Sequence, residues 1–152
     1  MSNHYHLLVE ELQKNGISKF MHKLGTGYTM YFNKKYNHAG SLFQGTFKAV
    51  VVDRESQLDY LLVYINVINP GQFLEPNLKK EGIKNQEGIM DFAKSYLWST
   101  NKEYLYARDS IIIDKGILGQ VFPDSQSYEE LVKAVLADKS KLDDIANIFL
   151  EE

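Results

Sequence analysis

The chain has 152 residues, 44% of them apolar, no cysteine and a net charge of −3. That length suits one domain with a sizeable core, and the lack of cysteine excludes disulfides and thiolate metal sites and fits a reducing cytosol. No apolar run reaches the ~18 residues of a membrane span, and no basic segment with a small-residue cleavage site follows the first methionine, so neither a span nor a secretory signal is expected. The acidic total hides an asymmetry. Residues 19–54 carry Lys19, Lys23, Lys34, Lys35, Lys48 and Arg54 against Asp53 alone, whereas residues 61–152 hold 10 basic and 15 acidic residues. Screening confines each charge to about 10 Å at ~0.1 M salt, so the first stretch keeps its own positive field.

Residues 4–10 alternate, with His4, His6 and Leu8 on one face and Tyr5, Leu7 and Val9 on the other, which predicts a strand. Ser18 is a suitable N-cap for a helix over about 18–36, with Gly25 and Gly27 as points where it divides in two. Residues 37–40 (NHAG) read as a turn. Residues 43–53 (FQGTFKAVVVD) are β-branched and aromatic and predict a second strand. A helix capped by Ser56 runs through DYLLVYINVI and stops at Asn69-Pro70-Gly71. Short helices are expected over about 86–95, 101–106 and 127–137, the last capped by Ser125 or Ser127, and a final one over 141–150 behind Ser140. The change of character near 71–85 divides the chain into residues 1–75, rich in motifs, and residues 76–152, a helical extension packed on them.

Two short patterns carry chemistry. On a strand, His4 and His6 point the same way, about 7 Å apart at the backbone, and their imidazoles can converge on one cation if a third ligand is added. Two unrelated histidines near a chain start are the plainer explanation of that spacing. Tyr64 lies among Leu61, Ile65 and Ile68 at helical spacing, where packing alone accounts for it. A phenol becomes a useful nucleophile beside a divalent cation that polarises a phosphodiester.

Taken in order, these segments resemble a known family. SNHYHLLV resembles the "PNHxHLLV" strand of the HUH single-tyrosine transposases, and the nearest branch is the REP-associated tyrosine transposases. Residues 28–53, YTMYFNKKYNHAGSLFQGTFKAVVVD, resemble that family's "YTxxFNxKYxRxGxLFQGRFK" block. DYLLVYINVINP (59–70) resembles "YLLxxxxYIHLNP", and SYLWSTNKEYL (95–105) is similar to "YPWSSxxxY".

The resemblance implies an α+β fold: an antiparallel ferredoxin-like or RRM-like sheet with helices on one face and a helical C-terminal extension. It implies that His4, His6 and Asn69 hold Mg2+ or Mn2+, and that Tyr64 attacks single-stranded or hairpin DNA to give a 5′-phosphotyrosine and a free 3′-hydroxyl. Lys34, Lys35, Gln44, Lys48 and Arg54 would then lie along the DNA, with Tyr36 or Phe43 available for base stacking. A cytoplasmic, nucleoid-associated protein of a bacterium or archaeon follows, with a homodimer as a candidate assembly. The other readings are a catalytically inactive hairpin-DNA binder and a remnant of a transposase.

Three departures from the pattern matter. The chain begins inside the histidine strand, so the family's first strand and helix are expected to be missing. The tyrosine-to-asparagine spacing is five rather than four, which turns Asn69 about 140° from alignment with Tyr64 at ~100° per residue unless a π-bulge or helix end absorbs the extra residue. Anchoring on Asn69-Pro70 instead puts Ile65 in the nucleophile's place, and Tyr60 and Asn66 are the substitutes. Finally, Thr46 stands where the family block has arginine, and the arginine before the glycine of the preceding turn is absent, which weakens phosphate binding.

Overall fold

The run Tyr60–Val63 and the seven residues after it are too apolar to face water on any side, and they form the centre of the structure. In the computed structural model, which describes residues 4–138, this stretch is one continuous helical rod. It comprises α2 (Glu55–Val63), a π-helical turn (Tyr64–Ile68) and α3 (Asn69–Gly71). Every residue from 60 to 71 except Ile65 is buried. A helix that is apolar all round requires neighbours on all sides. They come from the C-terminal half: α4 (Leu78–Glu81), α5 (Gln86–Ser95), α6 (Asn101–Tyr104), α7 (Gly116–Val121) and α8 (Ser125–Ala137). Leu78, Ile89, Ala93, Tyr104, Leu118, Phe122, Tyr128, Val132, Val135 and Leu136 close the core around Val63, Val67 and Ile68.

These helices, with residues 4–6, belong to one compact unit; Leu7–Val50 form the other. The second unit is α1 (Gly16–Tyr36) and the loop that follows it. No residue of α1 is buried. The helix opens after Asn15 in the left-handed region (φ 62°) rather than at Ser18, and closes on Asn37, also left-handed (φ 50°). It runs unbroken through Gly25 and Gly27, because an established helix propagates across an unfavourable residue that costs only about 1 kcal/mol. The loop is tied back by Asn33, whose Nδ2 donates to the Gly40 carbonyl (3.0 Å), and by a tilted Tyr28–Phe43 ring pair.

The antiparallel ferredoxin-like or RRM-like sheet is not present: among the described residues there is no β-strand. Residues 4–10 and 47–54 are irregular backbone. Alternation makes a segment suited to a sheet, but a strand exists only where its N–H and C=O groups pair in a ladder. Leu7, Val9, Val50 and Val51 are exposed, so the apolar alternation marks no buried sheet face. The helices expected at 86–95 and 127–137 form as Gln86–Ser95 and Ser125–Ala137, capped by the side chains of Asn85 and Asp124. Two short helices, α4 and α7, lack a sequence signature. Pro70 does not end the central helix; it sits in the first turn of α3, where its missing N–H costs nothing. The helix expected over 141–150 lies outside the described residues.

Glycine 71 explains how closely the rod meets α5. A Cβ there would lie 2.9 Å from Ile89 Cγ2 and 3.3 Å from Leu78 Cδ2. Inside the core, Tyr128 Oη donates to Asn101 Oδ1 (2.8 Å), and the Tyr104 and Tyr128 rings lie 5.4 Å apart. Glu103 is 3% exposed and is held by Arg108, whose Nε and an Nη donate to the two carboxylate oxygens at 2.5 and 2.8 Å. The same guanidinium donates to the Ser99 carbonyl (2.8 Å), fixing the loop that carries Trp98. Burial alone would push the Glu103 carboxyl up, yet the Arg108 hydrogen bonds and charge bring it below its ordinary value of 4.5.

A carboxylate with a lowered folded-state pKa contributes stability above pH ~4.5 that is lost as pH falls through the folded value. Urea unfolding between pH 6 and 3 should therefore show a steeper loss for the wild type than for Glu103→Gln. Arg108→Met, which leaves the carboxylate buried and unpaired, should cost about 2–3 kcal/mol at pH 7, more than Glu103→Gln.

Candidate active site

Tyr64 opens the π turn and is 1% exposed. The His6 ring meets its ring edge-on, with centroids 6.0 Å apart, and the His4 ring meets that of His6 nearly at right angles, at 5.2 Å. The structure thus brings His4, His6 and Tyr64 together within one unit, although residues 4–6 are not part of a strand. Lys79 Nζ donates to Tyr64 Oη at 2.5 Å and lies 4.8 Å from the ring centroid. Lys79 is a site residue that sequence reasoning missed. It lies 15 positions from Tyr64 on a four-residue helix, and no local pattern ties it to the phenol.

The five-residue spacing from Tyr64 to Asn69 is absorbed by the helix itself. The Asn69 N–H donates to the Tyr64 carbonyl, an i→i+5 bond, and the wide turn covers residues 64–68. A π turn is the form a helix takes when it accommodates one extra residue without rotating its flanks. Tyr64 and Asn69 are thereby joined across one turn. Asn69 Oδ1 accepts from Gln72 Nε2 (2.9 Å), and Asn66 Oδ1 accepts from Thr100 Oγ1 (2.9 Å), so both amide oxygens have partners inside the protein. Ile65 is the half-buried residue of the turn, and Tyr60 lies one turn earlier among the buried residues of α2.

The donor set was weighed against a divalent cation. Two imidazoles bound to one ion at ~2.1 Å would have ring centres roughly 4.6–5.3 Å apart for coordination angles from a right angle to tetrahedral. The His4–His6 separation of 5.2 Å meets that requirement. Among the described residues no group of three or more His, Cys, Asp or Glu side chains is placed to share a metal ion. An ion held between the two imidazoles would have to draw its remaining ligands from atoms other than His, Cys, Asp or Glu side chains.

The basic candidates lie elsewhere. Lys34 and Lys35 occupy the last turn of α1, and Gln44 lines a shallow groove with Thr26, Thr29, Ser41 and Phe43. Lys48 is exposed in the same unit. Lys35 Nζ sits over the Tyr31 and Tyr36 rings at 5.5 and 5.3 Å, and the Tyr31 hydroxyl foremost raises its pKa, keeping it cationic. Arg54 belongs to the other unit, at the N-cap of α2, with Asp53 3.9 Å away.

Residues 1–67 match the family described as Transposase IS200 like. This stretch, 67 of the 152 residues, carries the histidine pair and Tyr64 and supports assignment to a family of DNA-processing transposases. Residues 68–152 lie outside the match. No curated protein and no solved structure matches the chain. No helix among the described residues is long and apolar enough to cross a membrane.

If the wide turn only absorbs an extra residue, deleting Ile65 should restore a regular helix and leave both flanks in place. Thermal melts followed by circular dichroism should then place this variant within about 2 kcal/mol of wild type. Deleting Leu62, in the regular part, rotates the buried face by ~100° and should abolish the cooperative transition.

Proposed function

We propose that the chain is a metal-dependent single-stranded DNA transesterase of the HUH single-tyrosine kind. The observation that carries this is the grouping of His4, His6 and Tyr64 within one unit, in the stretch that matches the transposase family. His4 and His6 would hold Mg2+ or Mn2+, with Asn69 as a further oxygen donor once its amide leaves Gln72. When bound, such an ion orients the scissile phosphate and offsets its charge.

Tyr64 Oη forms the new bond to phosphorus while the P–O3′ bond breaks. The O3′ leaves with the electron pair and takes up a proton, and the phenol proton goes to solvent. The product is a 5′-phosphotyrosine with a free 3′-hydroxyl, and the phosphodiester energy stays available for strand transfer. The substrate is a hairpin or unpaired strand, held by phosphate contacts from Lys34, Lys35, Lys48 and Arg54 and by Gln44, with Tyr36 open to base stacking. Such a substrate places the protein in the cytoplasm at the nucleoid.

The burial of Tyr64 favours a second reading, a hairpin-binding protein that does not cleave. One assay separates the two. The full chain is mixed with labelled single-stranded hairpins from repeats flanking its gene, with Mg2+ or Mn2+, and run on a denaturing gel. A covalent adduct is expected, and it should be lost in Tyr64→Phe, in His4→Ala and with EDTA. Salt-sensitive binding without an adduct, equal in wild type and Tyr64→Phe, would establish the binding-only protein.

A further inference from the structure

We infer that Lys79, which lies beyond the family match, is part of the cleavage chemistry: its ammonium aims the Tyr64 hydroxyl and offsets the negative charge that develops there during attack on the phosphodiester. The inference rests on Tyr64 being the nucleophile.

The local sequence explains why Lys79 points at a phenol. Leu78 is buried in the core beside the central rod and anchors the short helix α4. The carboxylates nearest to Lys79 in sequence are engaged elsewhere. Glu75 accepts the backbone N–H groups of Lys84 and Asn85 at 3.0 and 2.9 Å. Glu81 accepts from Lys84 Nζ at 2.5 Å and from Asn77 Nδ2 at 2.9 Å. Lys79 reaches the phenol oxygen at 2.5 Å with its ammonium 4.8 Å from the ring centre.

Chemistry gives that contact a role beyond packing. In the ground state Tyr64 is a neutral phenol, and a lysine there gains one hydrogen bond. As Oη attacks, its proton departs and negative charge grows on the oxygen and on the non-bridging phosphate oxygens. A fixed cation at hydrogen-bond distance interacts more strongly with that state than with the resting one, which is what lowers a barrier. His4 and His6 approach the phenol from the family-matched stretch, and Lys79 completes the surroundings from the other half of the chain.

Two measurements on the full chain test this. In the first, tyrosine is labelled with 13C at Cζ, and the Tyr64 resonance is identified by its loss in Tyr64→Phe. It should shift in Lys79→Met; an unmoved resonance means the contact is absent in solution and overturns the inference. In the second, adduct formation is followed on the labelled hairpin with Mn2+. Lys79→Met should lower the single-turnover rate about 100-fold, with hairpin affinity within twofold and a cooperative melt retained, shifted down only by the lost Tyr64 hydrogen bond. Lys79→Arg, which keeps the cation, should recover the rate to within tenfold of wild type. A wild-type rate in Lys79→Met, with Tyr64→Phe inactive, overturns the role of Lys79 and leaves Tyr64 as nucleophile. A slow Lys79→Met that has also lost its cooperative melt and is not rescued by arginine overturns it in favour of a packing role. An adduct that persists in Tyr64→Phe, or none from wild type, removes the nucleophile reading and the inference with it.

Discussion

The structure depends on a helix that must be buried on nearly every side while carrying polar side chains. Residues 60–71 contain two phenols and two amides that the core encloses, Tyr60, Tyr64, Asn66 and Asn69. An enclosed polar group without a partner costs more than a hydrogen bond gains, and the Tyr64 hydroxyl and both amide oxygens are answered from inside the fold. Lys79 answers Tyr64, Thr100 answers Asn66 and Gln72 answers Asn69. Three polar contacts thus fix the surroundings of the rod at α4, at the start of α6 and at its own C-terminal end. The apolar contacts of Val63, Val67 and Ile68 supply the bulk of the burial.

The wide turn at Tyr64–Ile68 lets these demands coexist with the chain's spacing. A regular helix with a spacing of five from Tyr64 to Asn69 would swing one of them away from alignment with the other by more than a third of a turn, at ~100° per residue. The i→i+5 bond from Asn69 N–H to the Tyr64 carbonyl takes up that rotation. Regular hydrogen bonds return at once in α3, with Pro70 placed where no donor is needed. The distortion is confined to the residues beside the candidate nucleophile, as π turns near functional residues often are.

Helices with a strong local signature were legible in the sequence. Gln86–Ser95 and Ser125–Ala137 carry a capping side chain and an apolar stripe, and both form near the positions read from them. The histidine pair and Tyr64 were legible through the family pattern, and the extra residue before Asn69 was legible as a problem that a π turn would solve. The sheet was misread because alternation in residues 4–10 and 43–53 describes what a segment is suited to, while pairing depends on a neighbour that local sequence does not specify. Lys79 was illegible for a related reason. Nothing in a span of 15 residues, ending on a four-residue helix, encodes that a lysine will meet a phenol; the contact exists because Leu78 next to it is driven into the core.

The family match ends at residue 67, inside the π turn, and the polar atoms of that turn are answered by residues outside it. The C-terminal half is therefore not an appendage to a finished unit. Without Thr100 and the buried faces of α5 and α8, the rod from Tyr60 to Gly71 would present apolar surface and enclosed amides to water. No arrangement of residues 1–67 alone contains the partners that α4 to α8 supply. The charge distribution divides in the same way. The basic surplus is concentrated in residues 19–54, most of it within the unit formed by Leu7–Val50, whereas the histidines and Tyr64 belong to the other unit, whose sequence is acidic. An acidic setting repels a polyanion at long range. Within that acidic unit Lys79 puts a cation at hydrogen-bond distance from the Tyr64 hydroxyl.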